Sequence, residues 1–167
     1  MNIKSQQADN NVFAQVIDYL DSVEFSYDLF EGESALQVIF QGDNGEWICC
    51  AYVDEEIKQL CFYSVIPFSI SQQQRMNIAE FITRANYGMA AGHFELDFDD
   101  GELRYKTSTE FEENHVAKTI IHRMFYVNVF TMDYYLPLIT AINNGEISPV
   151  QALKVVRETI ETEEQKN

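Results

Sequence analysis

Two turn signals, Asn44-Gly45 and Asp100-Gly101, each lie between stretches in which apolar and polar residues alternate. These dipeptides are strong hairpin signals, because both central residues of a two-residue turn take positive φ. Strands joined so tightly pair antiparallel. Around the first signal, Phe25, Tyr27 and Leu29 alternate with Ser26 and Asp28, and a Glu31-Gly32-Glu33 turn leads into a strand over 35–41. Strands over 46–53 and 59–66 follow, which makes an antiparallel meander of four. The second signal joins 92–99 to 102–107. Counting outward from a two-residue turn places Phe98 opposite Leu103, Leu96 opposite Tyr105 and Phe94 opposite Thr107. On the other face Asp97 meets Arg104 and Glu95 meets Lys106.

Helical spacing flanks these strands. Val12, Phe13, Val16, Ile17, Leu20 and Val23 predict a helix over 11–24. Pro67 stops the meander, and Ser71 with Gln74 forms a capping-box pattern for a second helix carrying Ile78, Phe81, Ile82, Ala85 and Met89. From 112 to 144 one stripe holds Ile121, Met124, Phe125, Val129, Met132, Tyr135, Leu136, Ile139 and Ile142. His122, Tyr126, Asp133, Pro137 and Thr140 fall opposite, so Pro137 kinks this helix from its outer side. Asn143-Asn144-Gly145 ends it, and Ser148-Pro149 opens a last helix through Leu153, Val156 and Ile160, with Glu161–Asn167 fraying. The expected fold is α+β: an antiparallel sheet with flanking helices in the order α-β-β-β-β-α-β-β-α, plus a C-terminal helix. Residues 11–145 form the domain and 146–167 an appended helix and tail.

Charge narrows the function. The 167 residues carry 27 acidic and 11 basic side chains, a net charge of −16. Such a surface repels phosphates and the anionic cytoplasmic leaflet, so neither nucleic acid nor membrane is an expected partner. Twelve of the acids fall between Asp9 and Glu56, a stretch with no Lys or Arg of its own and only Lys4 before it. The start, MNIKSQQADNN, has no apolar core of a signal peptide, and no apolar run is long enough to span a bilayer. Three cysteines, two of them adjacent, suit a reducing cytoplasm without disulfides.

Four constellations merit weighing for chemistry. His93, Glu95, Asp97 and Asp99 share one strand face and offer oxygen ligands to a hard cation. Cross-strand pairing with Arg104 and Lys106 is the preferred reading, since solvated sheet faces alternate this way. Cys49 and Cys50 point to opposite faces and do not make a metal site with Cys61, and His93, His115 and His122 have no ligand spacing. Arg84 and Asn86 read as helix-end capping or pairing rather than anion binding. The run Met124-Phe125-Tyr126-Val127-Asn128-Val129-Phe130 is wider than one buried face requires. Core packing is the preferred explanation; the functional one is a partner surface through Phe125, Val127, Phe130 and Tyr134. No motif of a known catalytic class is present, so no enzyme and no cofactor is expected.

The strings Phe81-Ile82-Thr83-Arg84-Ala85-Asn86, Gly92-His93-Phe94-Glu95-Leu96-Asp97, Gly101-Glu102-Leu103-Arg104-Tyr105-Lys106 and Met132-Asp133-Tyr134-Tyr135-Leu136-Pro137 resemble the YbjN-like family of bacterial sensory transduction regulators, over roughly 11–145. The resemblance implies a fold similar to class I type III secretion chaperones, which are small, acidic, cytoplasmic, usually dimeric proteins that bind extended segments of others. It implies a non-enzymatic protein-binding regulator or chaperone-like adaptor, working as a homodimer. The alternative is a small-molecule or divalent-cation sensor using His93, Glu95, Asp97 and Asp99.

Overall fold

The computed structural model describes residues 11–164 and has the expected α+β order. Helix α1 (Val12–Ser22) leads into strands β1 (Asp28–Leu29), β2 (Ala35–Gln41), β3 (Glu46–Asp54) and β4 (Gln59–Val65). Helix α2 (Arg75–Asn86), strands β5 (His93–Leu96) and β6 (Leu103–Glu110), and helices α3 (Lys118–Asn143) and α4 (Pro149–Glu164) complete it. One antiparallel sheet runs β1-β2-β3-β4-β6-β5. Helices α1 and α3 cover its inner face, where Leu36, Val38, Phe40, Trp47, Cys49, Ala51, Leu60, Phe62, Leu103 and Tyr105 are buried. No described helix covers the outer face, where Ile39, Ile48 and Tyr52 are exposed. Residues 165–167 lie outside the described residues.

The first helix starts where Asn11 caps it, its side chain accepting from the Ala14 amide at 2.7 Å. The expected capping box at Ser71 and Gln74 does not form. The Ser71 amide donates instead to Asn143 Oδ1 (2.9 Å), and α2 begins at Arg75 without a side-chain cap. The same pattern does form at α4, where Ser148 Oγ accepts from the Gln151 amide and Gln151 Oε1 from the Ser148 amide. Through Ala152, Leu153 and Val156, α4 joins the common core and lies against α2.

Both hairpins differ in their turns from the expected form. In the first, Gly42 N–H donates to Gly45 O at 2.8 Å, so Asp43 and Asn44 are the turn residues and neither has positive φ. In the second, Phe94 lies opposite Tyr105, Glu95 opposite Arg104 and Leu96 opposite Leu103, two residues from the predicted register. Asp97 N–H donates to Glu102 O (2.9 Å) and Gly101 N–H to Asp97 O (3.0 Å), which closes a four-residue loop. Gly101 takes φ +83° there, and its backbone presses on Ile70 too closely for a Cβ. A slip of two keeps every side chain on its face.

The long helix is also shorter at its start than its periodicity suggests. Strand β6 runs on through Thr107-Ser108-Thr109, and Glu113 and Asn114, both with positive φ, turn the chain within a bridge between Glu112 and His115. All nine residues of the predicted α3 stripe are buried.

Candidate protein-binding face

One polar residue keys α3 to the sheet. Asn128 is fully buried, and its Nδ2 donates to Phe62 O (2.9 Å), Tyr105 O (3.0 Å) and Thr107 Oγ1 (3.3 Å). These acceptors belong to the paired strands β4 and β6, so the amide fixes both rotation and height of the helix over them. Five residues on, Asp133 holds the β2–β3 turn. Its carboxylate accepts from the amides of Asp43 (3.2 Å) and Asn44 (2.9 Å). Its backbone carbonyl, which Pro137 has no N–H to reach, accepts from Asn44 Nδ2 at 3.1 Å. The proline is thus tolerated because a neighbouring loop supplies the missing donor.

With α3 set in this way, its outer side carries an aromatic ladder. His122 and Tyr126 have ring centroids 4.6 Å apart, and Tyr126 and Phe130 5.2 Å apart. Phe130 is 58% exposed and Tyr134 36%, while Val127 is half-buried beside them. A shallow concavity runs along this side, walled by Arg123, Tyr126, Val127, Phe130, Thr131 and Tyr134 among others. Phe125, expected on the same surface, is instead wholly buried, ringed by Tyr19, Phe25, Phe40 and Phe62. It belongs to the core, and only Val127, Phe130 and Tyr134 of the four candidates reach the surface. Tyr126 was missed, although its place four residues before Phe130 put it on the same face.

The acidic strand is not assembled as a cation site. Glu95 Oε2 accepts from Arg104 Nε at 2.7 Å, its other oxygen lies 3.0 Å from His93 Nε2, and Lys106 is 4.0 Å away. Asp97 and Asp99 lie beyond the end of β5, where Asp97 Oδ1 accepts from the Asp99 amide at 2.7 Å. Among the described residues no three His, Cys, Asp or Glu side chains are grouped to hold a metal. Arg104 also stacks over Tyr63, 4.5 Å from the ring centre. Burial alone would raise the Glu95 pKa, but hydrogen bonds from Arg104 and His93 and the charges of Arg104 and Lys106 hold it below the usual range.

The other candidates settle into structure. Cys49 and Cys61 are buried and Cys50 half-buried, all three thiols pushed up chiefly by burial. Arg84 pairs with Glu80 at 2.9 Å, and Asn86 plugs the free edge of β5, bonding Phe94 N–H and C=O at 2.8 and 3.0 Å. Burial pushes the Tyr19 and Tyr135 phenols up to about 12. These shifts keep the tyrosines and thiols neutral and the Glu95–Arg104 pair charged at neutral pH.

A family model described as "Putative bacterial sensory transduction regulator" matches residues 13–122. No curated protein matches in sequence. Among solved structures, YbjN from E. coli superposes with a TM-score of 0.57 at 10% identity, over 78% of this chain and 90% of its own. The ExsC–ExsE complex gives 0.59 at 10% identity, covering 83% of this chain and 97% of the matched one. The HopA1–SchA chaperone–effector complex gives 0.50 at 16% identity, with 74% and 92% covered. The likeness is one of fold. No helix among the described residues is long and apolar enough to cross a membrane.

Proposed function

We propose, for a chain that belongs to the YbjN family, a non-catalytic role as a chaperone-like adaptor that binds another protein through the outer side of α3. The observation that carries this reading is the aromatic row Tyr126–Phe130–Tyr134, in which Phe130 and Tyr134 are exposed and Tyr126 is half-buried. Large aromatic rings on a rigid helix are costly to leave in water and are enriched where proteins meet. The solved complexes of similar fold, one of them a chaperone with its effector, support the reading. We infer further that the working unit is a cytoplasmic homodimer, which light scattering would register as twice the 19.3 kDa chain mass.

Affinity capture with three baits tests the contact surface. Wild type and Ile39→Glu, altered on the outer sheet face, are expected to recover the same proteins, and Phe130→Glu to lose them. Equal recovery by wild type and Phe130→Glu would refute the assignment.

A further inference from the structure

Three concavities line the outer side of α3, and they form one groove. The first lies beside Tyr126 and Phe130, the second against the 90–92 segment, and the third reaches under α4; Arg123 and Val127 stand in the walls of all three. The groove's charge is opposite to that of the chain. Although acids outnumber bases 27 to 11, no Asp or Glu among residues 11–159 lines any of the three, whereas Arg84, Arg123 and Arg157 do. Arg84 is held at the rim by Glu80. Arg123 has no ion-pair or hydrogen-bond partner among the residues whose side chains are described, 11–159. A guanidinium without a partner, flanked by Val127 and the aromatic ladder, is a receptor for a carboxylate. Its planar fork offers two parallel donors to such a group, and the neighbouring apolar side chains offer contacts beside it.

We propose that this groove binds an extended acidic segment of a partner protein, with one carboxylate on Arg123 and apolar side chains seated on either side of it. The inference rests on the protein-binding reading above and adds the chemistry of the partner. From Ile120 to Tyr134 the helix runs about 21 Å at its rise of about 1.5 Å per residue, which is spanned by about six residues of extended chain. A second copy of this chain fits the groove less well. An isologous contact through this face would set one basic groove against another.

Panning a random linear peptide library against the full-length protein tests the proposal. Wild type is expected to enrich peptides with Asp or Glu flanked by apolar residues. The best of them, synthesised and measured by calorimetry, should bind Arg123→Glu at least about tenfold more weakly, a loss of the size expected for a charge-assisted pair, and Arg123→Lys should keep part of the affinity. Panning on Arg123→Glu should shift the selection toward Lys and Arg. Enriched peptides without acids, lost on Phe130→Glu but bound equally by Arg123→Glu, would overturn this inference and leave the protein-binding reading standing. Enrichment of nothing, or binding indifferent to both substitutions, would overturn both. Conversion of a dimer to a monomer by Arg123→Glu would name a second copy as the occupant, and tighter peptide binding after removal of 161–167 would name the chain's own end. Either result overturns the proposal.

Discussion

Replacing Asn128 with Asp preserves the shape of the side chain and removes its donors. In the native protein the two Nδ2 hydrogens are shared among Phe62 O, Tyr105 O and Thr107 Oγ1, at 2.9, 3.0 and 3.3 Å. An aspartate would present an oxygen to two carbonyl oxygens in a site with no solvent access. Ionised, it is an uncompensated buried charge that costs about 3–5 kcal/mol. Protonated, it recovers one donor and forfeits about one hydrogen bond, or about 1 kcal/mol. The folded state therefore holds the proton, while the unfolded chain releases it near the ordinary value of about 3.9. With the folded pKa raised above the unfolded one, the native state binds more protons, and the deficit grows as pH rises from about 4 until the folded site also ionises. Against a total stability of about 5–15 kcal/mol, the loss at pH 8 is large.

Urea unfolding followed by the single Trp, Trp47, which is buried, reads this directly. Wild type, Asn128→Asp and Asn128→Ala are compared at pH 5 and pH 8 through the midpoint at constant slope. The Ala variant loses hydrogen bonds and leaves a cavity, so its deficit is the same at both pH values. The Asp variant should be markedly worse at pH 8 than at pH 5. An Asp variant that tracks the Ala variant at both pH values would refute the view that the Nδ2 end of the amide faces acceptors alone.

Two further outcomes follow from the same packing. Asp133→Ala should cost about 1–2 kcal/mol by removing the acceptor of two amide bonds and should speed hydrogen exchange at the Asn44 amide. Gly42→Ala drives a methyl into the Asp133 carboxylate and the Trp47 ring, so the double mutant should be more stable than the sum of the single losses predicts; strict additivity in urea would contradict the contact. The buried thiols of Cys49 and Cys61 should resist Ellman's reagent at pH 8 until the protein is unfolded, when all three cysteines titrate; rapid reaction of all three in the folded protein would show the sheet to be open.

Strand positions were legible because alternation reports burial directly, and burial is what a one-sided sheet needs. Leu36, Val38, Phe40 and Trp47, Cys49, Ala51 face inward as the period requires. Turn geometry was not legible, because partners far along the chain decide it. The β2–β3 turn is held by Asp133, about ninety residues away, and the β5–β6 loop by Ile70 and Arg75. Two identical capping patterns had different fates for the same reason: Asn143 takes the Ser71 amide, while nothing competes at Ser148.

The candidate surface shows the limit of periodicity most sharply. Hydrophobic spacing gives the direction of a helix's buried stripe but not its width. Phe125 lies in the α3 stripe and Phe130 beside it, five residues and about 140° of turn apart. What separates them is tertiary: Tyr19 from α1 and Phe25 from the segment after it close over Phe125, whereas among described rings outside α3 only Phe40 approaches Phe130, edge-on at 6.5 Å. The rotation that exposes Phe130 is set in turn by Asn128 reaching two carbonyls and Asp133 gripping a turn. These two polar residues carry no motif of their own, because an amide and a carboxylate on a helix read as solvated until the strands and the turn they meet are known. The proposed binding surface and the residues that aim it are therefore separate, and substitution at Asn128 should alter partner binding only as far as it alters the fold, whereas Phe130→Glu should alter binding alone.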